Sequence, residues 1–233
     1  MSGIDLYTKL LLHCNGEDAG TTFRDSSLVP KTITAVGTAQ MDTAQKKFGT
    51  ASCLLDGNSD YLSIADHADF EFDGDFTIDG WVKWNSVPTA FTTVFQSSIA
   101  DFHGVHIVFD NSTTIRALFA NAAGDAWTFN STAAITAMTT GVWYHFAMVR
   151  SGTTVDVYWG GVSKINETGV SNTPNHTGDF YVGAANLGSD ARYVNGWIDE
   201  FRVSKGVARW TSNFTPPVRE YSLDGGSFLL NFI

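Results

Sequence analysis

Two adjacent carboxylates, Asp199 and Glu200, sit inside an apolar and aromatic run, G-W-I-D-E-F-R-V-S-K from Gly196 to Lys205. A carboxylate among apolar neighbours must be hydrogen-bonded, ion-paired or metal-bound, because a bare buried charge is strongly destabilising. Three chemistries meet that demand. Two acids facing one cleft about 5–5.5 Å apart carry out retaining glycoside hydrolysis. Carboxylate oxygens hold a hard cation such as calcium. A structural carboxylate accepts hydrogen bonds and does nothing else.

The spacing argues against hydrolysis. Alternation along a strand puts Trp197, Asp199, Phe201 and Val203 on one face and Ile198, Glu200 and Arg202 on the other. The residue two before Asp199 is a tryptophan, and Glu200 is expected to point away, so no acid pair forms. Asp199 is left as either a hydrogen-bonded structural carboxylate or a calcium ligand. Asp56, followed by Gly57, reads first as a turn residue and secondarily as a ligand. The spacing D-x-E-x-D-G at Asp69, Glu71, Asp73 and Gly74 imitates a calcium loop, but its last position would be Gly80, where a bidentate Glu is required. It reads as a strand and turn. His103 and His106 fall on opposite strand faces, and His145 reads as a hydrogen-bonded interior residue. No G-x-S-x-G elbow, phosphate loop or C-x-x-C pair occurs.

Aromatic side chains in loops offer a different chemistry, stacking against sugars. The candidate loops are Asn85 to Gly104, Asn121 to Trp127 and Leu187 to Tyr193, and the candidate ligand-binding residues are Phe91, Trp127 and Tyr193. Loops held by a rigid sandwich are where recognition residues concentrate. The alternative for each ring is packing beneath its own loop.

The elements that must position these groups are strands. Leu10 to Cys14, Thr32 to Val36, Cys53 to Asp56 and Tyr61 to Ile64 are short runs closed by turn residues. Phe76 to Trp84 is a long strand, followed by runs at Val94, Val105, Ile115 and Trp127. Trp143 to Arg150 is apolar on both faces, which predicts a central strand covered on both sides. No window shows a 3.6-residue period, so the fold class is all-β, a two-sheet antiparallel sandwich. Thr215-Pro216-Pro217 marks the end of the compact unit. The expected organisation is a sandwich over residues 1–217 and a tail over 218–233. The tail carries an apolar strand, Ser227 to Ile233, which completes its own sheet or adds to a neighbour's in an assembly.

The 233 residues are 43% apolar, 13% aromatic and only 16% charged, and the net charge is −10. That charge excludes nucleic acid and anionic membranes as expected partners, since phosphate binding needs clustered Lys and Arg. No segment reads as a signal peptide or a membrane span. Cys14 and Cys53 are expected as free buried thiols, with pairing as the alternative.

The ordered set Leu10-Leu11-Leu12-His13, Phe48-Gly49, Leu55-Asp56-Gly57 with Asp60-Tyr61-Leu62, Phe76-Thr77-Ile78 with Trp81, Trp143-Tyr144-His145 and Trp197 to Arg202 resembles the laminin-G-like, concanavalin A-like jelly rolls. The segment Gly206 to Pro217 resembles the version found in structural proteins of tailed bacteriophages. The resemblance implies a jelly roll and non-catalytic recognition of glycans or proteins. It also implies one structural calcium, held by Asp199 with carbonyls near the first strand and with Asn15 where the family usually has Asp. The expected function is a virion structural protein, a capsid-decorating head fibre or tail-fibre module with a lectin-like sandwich for surface carbohydrate. Its expected partners are other virion proteins or itself, as a homo-oligomer such as a trimer, together with cell-surface glycans. Its expected location is the virion, assembled in the host cytoplasm. A bacterial cell-surface or extracellular adhesion module is the alternative, and a glycoside hydrolase of the same fold is a third reading.

Overall fold

The computed structural model describes residues 3–97, 104–120, 127–171, 178–185 and 192–223. The predicted terminal strand Ser227 to Ile233 and His103 lie outside them. Fifteen strands among the described residues form two antiparallel sheets.

The first sheet contains β1 (Thr8–Leu12), β3 (Gln40–Asp42), β4 (Ser52–Asp56), β6 (Phe76–Trp84), β11 (Trp143–Ser151), β12 (Thr154–Trp159), β13 (Val162–Glu167) and β15 (Asn195–Lys205). The second contains β2 (Ile33–Val36), β5 (Tyr61–Ile64), β7 (Thr92–Ser97), β8 (Val105–Asn111), β9 (Thr114–Ala120), β10 (Trp127–Ala134) and β14 (Phe180–Val182). Strand order in the first is β13-β12-β11-β6-β15-β4-β3, with β1 also paired to β15. In the second it is β10-β9-β8-β7-β14-β5-β2. No helix among the described residues is long and apolar enough to cross a membrane.

Inward side chains of both sheets form one core. Phe95 stacks on Phe180 at 6.0 Å between centroids, and Phe201 reaches both Phe95 (5.8 Å) and Phe180 (6.0 Å) from the opposite sheet. The expected covering of Trp143 to Arg150 holds. Phe146 and Met148 of β11 join this core, while Ala147 and Val149 lie under Trp210 on the outer side. Trp210 stacks on Phe214 at 4.0 Å, so the segment after β15 crosses the outer face of the first sheet and gives it a second apolar layer.

Three expectations change. Asp69 to Gly74 is not a strand: Ala68–Phe70 is a 3-10 turn whose N-cap, His67, accepts from the Asp69 N–H. Phe70 and Phe72 are both buried, which a turn achieves as well as alternation does. The compact unit does not end at Pro217, because Tyr221 is buried against Arg202, with the guanidinium 3.7 Å from its ring centroid. The alternation of β15 breaks. Asp199 pairs with Trp81 and Arg202 with Asp79, so two residues, Glu200 and Phe201, oppose Gly80 alone. Glu200 has a positive φ of 50°, the left-handed conformation of a β-bulge. The bulge turns Phe201 and Val203 into the core with Ile198, and leaves Trp197, Asp199, Glu200 and Arg202 on the outer side.

Candidate functional site

Around the bulge the outer side of the first sheet is a buried polar cluster. Asp199 is fully buried, and its Oδ2 accepts the backbone N–H groups of Lys47 (2.7 Å) and Phe48 (3.2 Å). Its Oδ1 is buried with no hydrogen-bond partner among the described residues. Burial first, with Glu200 adding to it, pushes the Asp199 carboxyl up to about 7 against those two donors. Glu200 Oε1 meets His13 Nδ1 at 2.5 Å, and its Oε2 accepts the Tyr221 N–H at 2.9 Å. Next to it, Arg202 Nε donates to Asp79 Oδ1 at 2.9 Å and the Tyr221 hydroxyl donates to Asp79 Oδ2. Burial would raise the Asp79 carboxyl, but Arg202, His145 and Tyr221 hold it below the usual carboxylate range.

This geometry corrects one premise about hydrolysis, since Glu200 does not point away from Asp199. The two acids share a side, but both are closed to solvent at 0% and 1% exposure. A glycosidic bond has no route between them.

The calcium set Asp199, Asn15 and Asp56 is not brought together. Asp56 pairs with Asn195, four positions along β15 from Asp199. Its carboxylate accepts the N–H groups of Asn58, Ser59 and Asp60 at 2.8, 2.8 and 3.0 Å, which makes it a turn residue. Asn15 Oδ1 accepts the Thr50 N–H at 2.5 Å, and its Nδ2 donates to Glu220 Oε1 at 2.5 Å. Only Asp199 Oδ1 remains to offer, so the predicted trio does not fit a calcium ion. The group of metal-capable side chains that converges among the described residues is His13, Glu200 and Glu220, whose ligand atoms lie within 4.8 Å of one another. Sequence spacing hides it, because the bulge and the chain beyond Pro217 bring it together.

The second sheet gathers the other predicted residues. One rung of its outer face runs Thr34, Ser63, Tyr181, Gln96, His106, Leu118 and Asn130 across all seven strands. Val108, Leu118 and Tyr181 are buried yet stand apart from the inter-sheet core, which confirms their outward direction. Trp127 meets His106 edge-on at 5.0 Å. Tyr61 packs edge-on to Tyr181 at 5.6 Å, and Tyr193 stacks on Tyr61 at 6.4 Å with 30° between planes. Phe91, 48% exposed, lies under two guanidinium groups, Arg192 at 5.1 Å and Arg116 at 5.6 Å. Arg116 is itself held by both oxygens of Asp110, at 2.7 and 2.6 Å.

Phe91, Trp127 and Tyr193 therefore serve one sheet face, although their loops are partly outside the described residues. Between residues 86–92 and 192–195 is a hollow of about 280 Å³ lined by Phe91, Thr92, Arg192, Tyr193 and Asn195. Tyr61 and Tyr193 are half-buried, so the row of rings is open at this end. Burial raises the Tyr61 hydroxyl, and burial with Asp179 pushes Tyr181 up to about 12, so both remain protonated donors at neutral pH. Sequence reasoning missed Tyr61 and Tyr181, since aromatic residues inside strands read as core. The signal was Tyr61-Leu62-Ser63-Ile64, where Leu62 and Ile64 take the inward positions.

A laminin-G-type family profile, described as the concanavalin A-like lectin/glucanases superfamily, matches residues 56–211. No curated protein matches the chain. Among solved structures, domain 4 of an extracellular arabinanase from Geobacillus stearothermophilus, solved with arabinotriose, is similar at 23% identity and a TM-score of 0.61 over 87% of this chain and 95% of that one. The binding domain of botulinum neurotoxin DC in complex with SialylT is similar at 11% identity and 0.59, over 85% and 48%. The binding domain of Paraclostridial Mosquitocidal Protein 1 is similar at 12% and 0.61, over 85% and 49%. The chain thus spans about half of each toxin domain and nearly all of the arabinanase domain. At these identities the likeness is one of fold, and the fold agrees with the profile. The chain belongs to the concanavalin A-like lectin/glucanases superfamily.

Proposed function

We propose that this protein is a non-catalytic recognition module that binds carbohydrate on the outer face of its second sheet. The observation that carries the reading is the half-exposed pair of rings Tyr193 and Tyr61, backed by the buried Tyr181, beside the Phe91 hollow. Rings stacked against sugar faces supply apolar contact, and protonated phenols and the Ser63 and Asn195 side chains supply hydrogen bonds. Its structural neighbours include a domain solved with arabinotriose, which supports a saccharide as the ligand class. The closed environment of Asp199 and Glu200 supports a non-catalytic role.

The test is a glycan array read with the wild-type protein and a Tyr61→Ala/Tyr193→Ala double variant. Saccharide hits that vanish in the folded double variant are expected. An array with no hits, or hits that the variant keeps, overturns the reading.

The setting we propose is a bacteriophage virion, where the module would join other virion proteins or copies of itself. The support is the resemblance of Gly206 to Pro217, the segment that straps the outer face of the first sheet. Mass spectrometry of purified virions checks it, and absence of the protein from particles overturns it.

A further inference from the structure

One side of β15 is covered by β6, but the other is shared by two strands in turn. β4 lies along residues 195–198 and β1 along 201–204, both antiparallel to β15. β1 and β4 are therefore two halves of one line, interrupted opposite the bulge. The chain's two cysteines bound that interruption. Cys53 is the partner of Ile198, and Cys14 follows two residues after Leu12, the partner of Phe201.

Both side chains are buried in the same inter-sheet core, at 3% and 1% exposure. Cys14 has a positive φ of 53°, so the chain turns sharply just where β1 ends. Both thiols are free. The neighbouring Cys53 thiol, then burial, raises Cys14 well above the usual thiol range. Two distant segments thus bring their cysteines to the break between β1 and β4, within the same core.

We propose that Cys14 and Cys53 form a disulfide under oxidising conditions and splice β1 to β4 across the bulge. With a small disulfide such as oxidised glutathione, one cysteine thiolate attacks a glutathione sulfur, breaks that S–S bond and releases one glutathione thiolate. The second cysteine attacks the mixed disulfide and releases the other. Two protein thiols are oxidised, one glutathione disulfide is reduced to two thiols, and the cysteine protons pass to the leaving thiolates. Burial and protonation make the exchange slow in the folded protein and fast while the chain folds.

The full chain is refolded in a glutathione redox buffer and, separately, in excess reductant, then digested without reduction for mass spectrometry. The expected product is a Cys14–Cys53 peptide pair lighter by two hydrogen atoms than its parts. The oxidised protein is expected to melt about 5–10 °C above the reduced one, as a cross-link closing a long loop implies. Cys14→Ala and Cys53→Ala each remove both effects. If either variant fails to fold, the wild-type peptide map and paired melts still decide. Free thiols or glutathione adducts without the linked pair overturn the proposal, as does a linked form that melts no higher.

Discussion

Asp79 and Arg202 face each other on paired rungs of β6 and β15, with Arg202 Nε 2.9 Å from Asp79 Oδ1 and both side chains closed to solvent. The pair is what lets the outer side of the first sheet be covered, since Tyr221 bonds the other Asp79 oxygen and lies over the guanidinium. Breaking a buried pair by neutralising one partner strands the other charge. Asp79→Asn is expected to cost about 3–5 kcal/mol. Urea unfolding of the variant, read as a lowered midpoint at unchanged slope, checks it. Tyr221→Phe, which keeps the pair, is expected to cost only about 1 kcal/mol.

Asp199 makes stability fall as pH rises. Its folded carboxyl titrates at about 7, above the 3.8 of an unperturbed one, so between those values the folded chain holds a proton that the unfolded chain lacks. Stability from this group is full below about pH 4 and lost as pH climbs through about 7. Asp199→Asn mimics the protonated acid and removes the dependence. Melts at pH 5 and pH 8 are expected to show the wild type losing on the order of 2–3 kcal/mol more than the variant between them. Equal losses would refute the assignment. The buried, lowered His145 acts in the opposite sense below its ordinary range but is common to both proteins.

Calcium chelation is expected to leave the protein unchanged. Asp56 is saturated by its own turn, and both ends of the Asn15 amide are engaged. A melt with EGTA beside one with added calcium checks this, and a gap of more than about 2 °C would restore a calcium site built on other donors.

Carbohydrate affinity should depend on Tyr193 more than on the protein's stability does. The ring is half-buried and stacks on Tyr61 alone among the described aromatic pairs. Tyr193→Ala is expected to weaken binding of the best arrayed saccharide about tenfold, as loss of one stacking surface implies. Calorimetric titration of that saccharide reads the change, and Val218→Ala, at an exposed position of the C-terminal segment, is expected to have no effect.

Much of the sandwich was legible because Gly, Asn and Asp interrupt runs of β-branched and aromatic residues, and the double-sided apolarity of Trp143 to Arg150 marked a central strand. The bulge was not legible. Nothing between Asp199 and Arg202 announces it, because its cause is non-local: β15 must serve β4 on one half of its edge and β1 on the other. That missed residue brought Glu200 and Arg202 to the side of Asp199 and turned Phe201 and Val203 away from it. The short β3 and the polar edge strand β13 also escaped, since neither carries an apolar period. Among the aromatic candidates, Phe91, Trp127 and Tyr193 could be named from loop position. Tyr61 and Tyr181 needed the register that turns them outward.

The latch that Tyr221 throws over Asp79 and Arg202 joins the end of the described chain to β6 and β15, two strands far apart in sequence. A chain ending before residue 221 would therefore leave one Asp79 oxygen and one face of the Arg202 guanidinium without this cover.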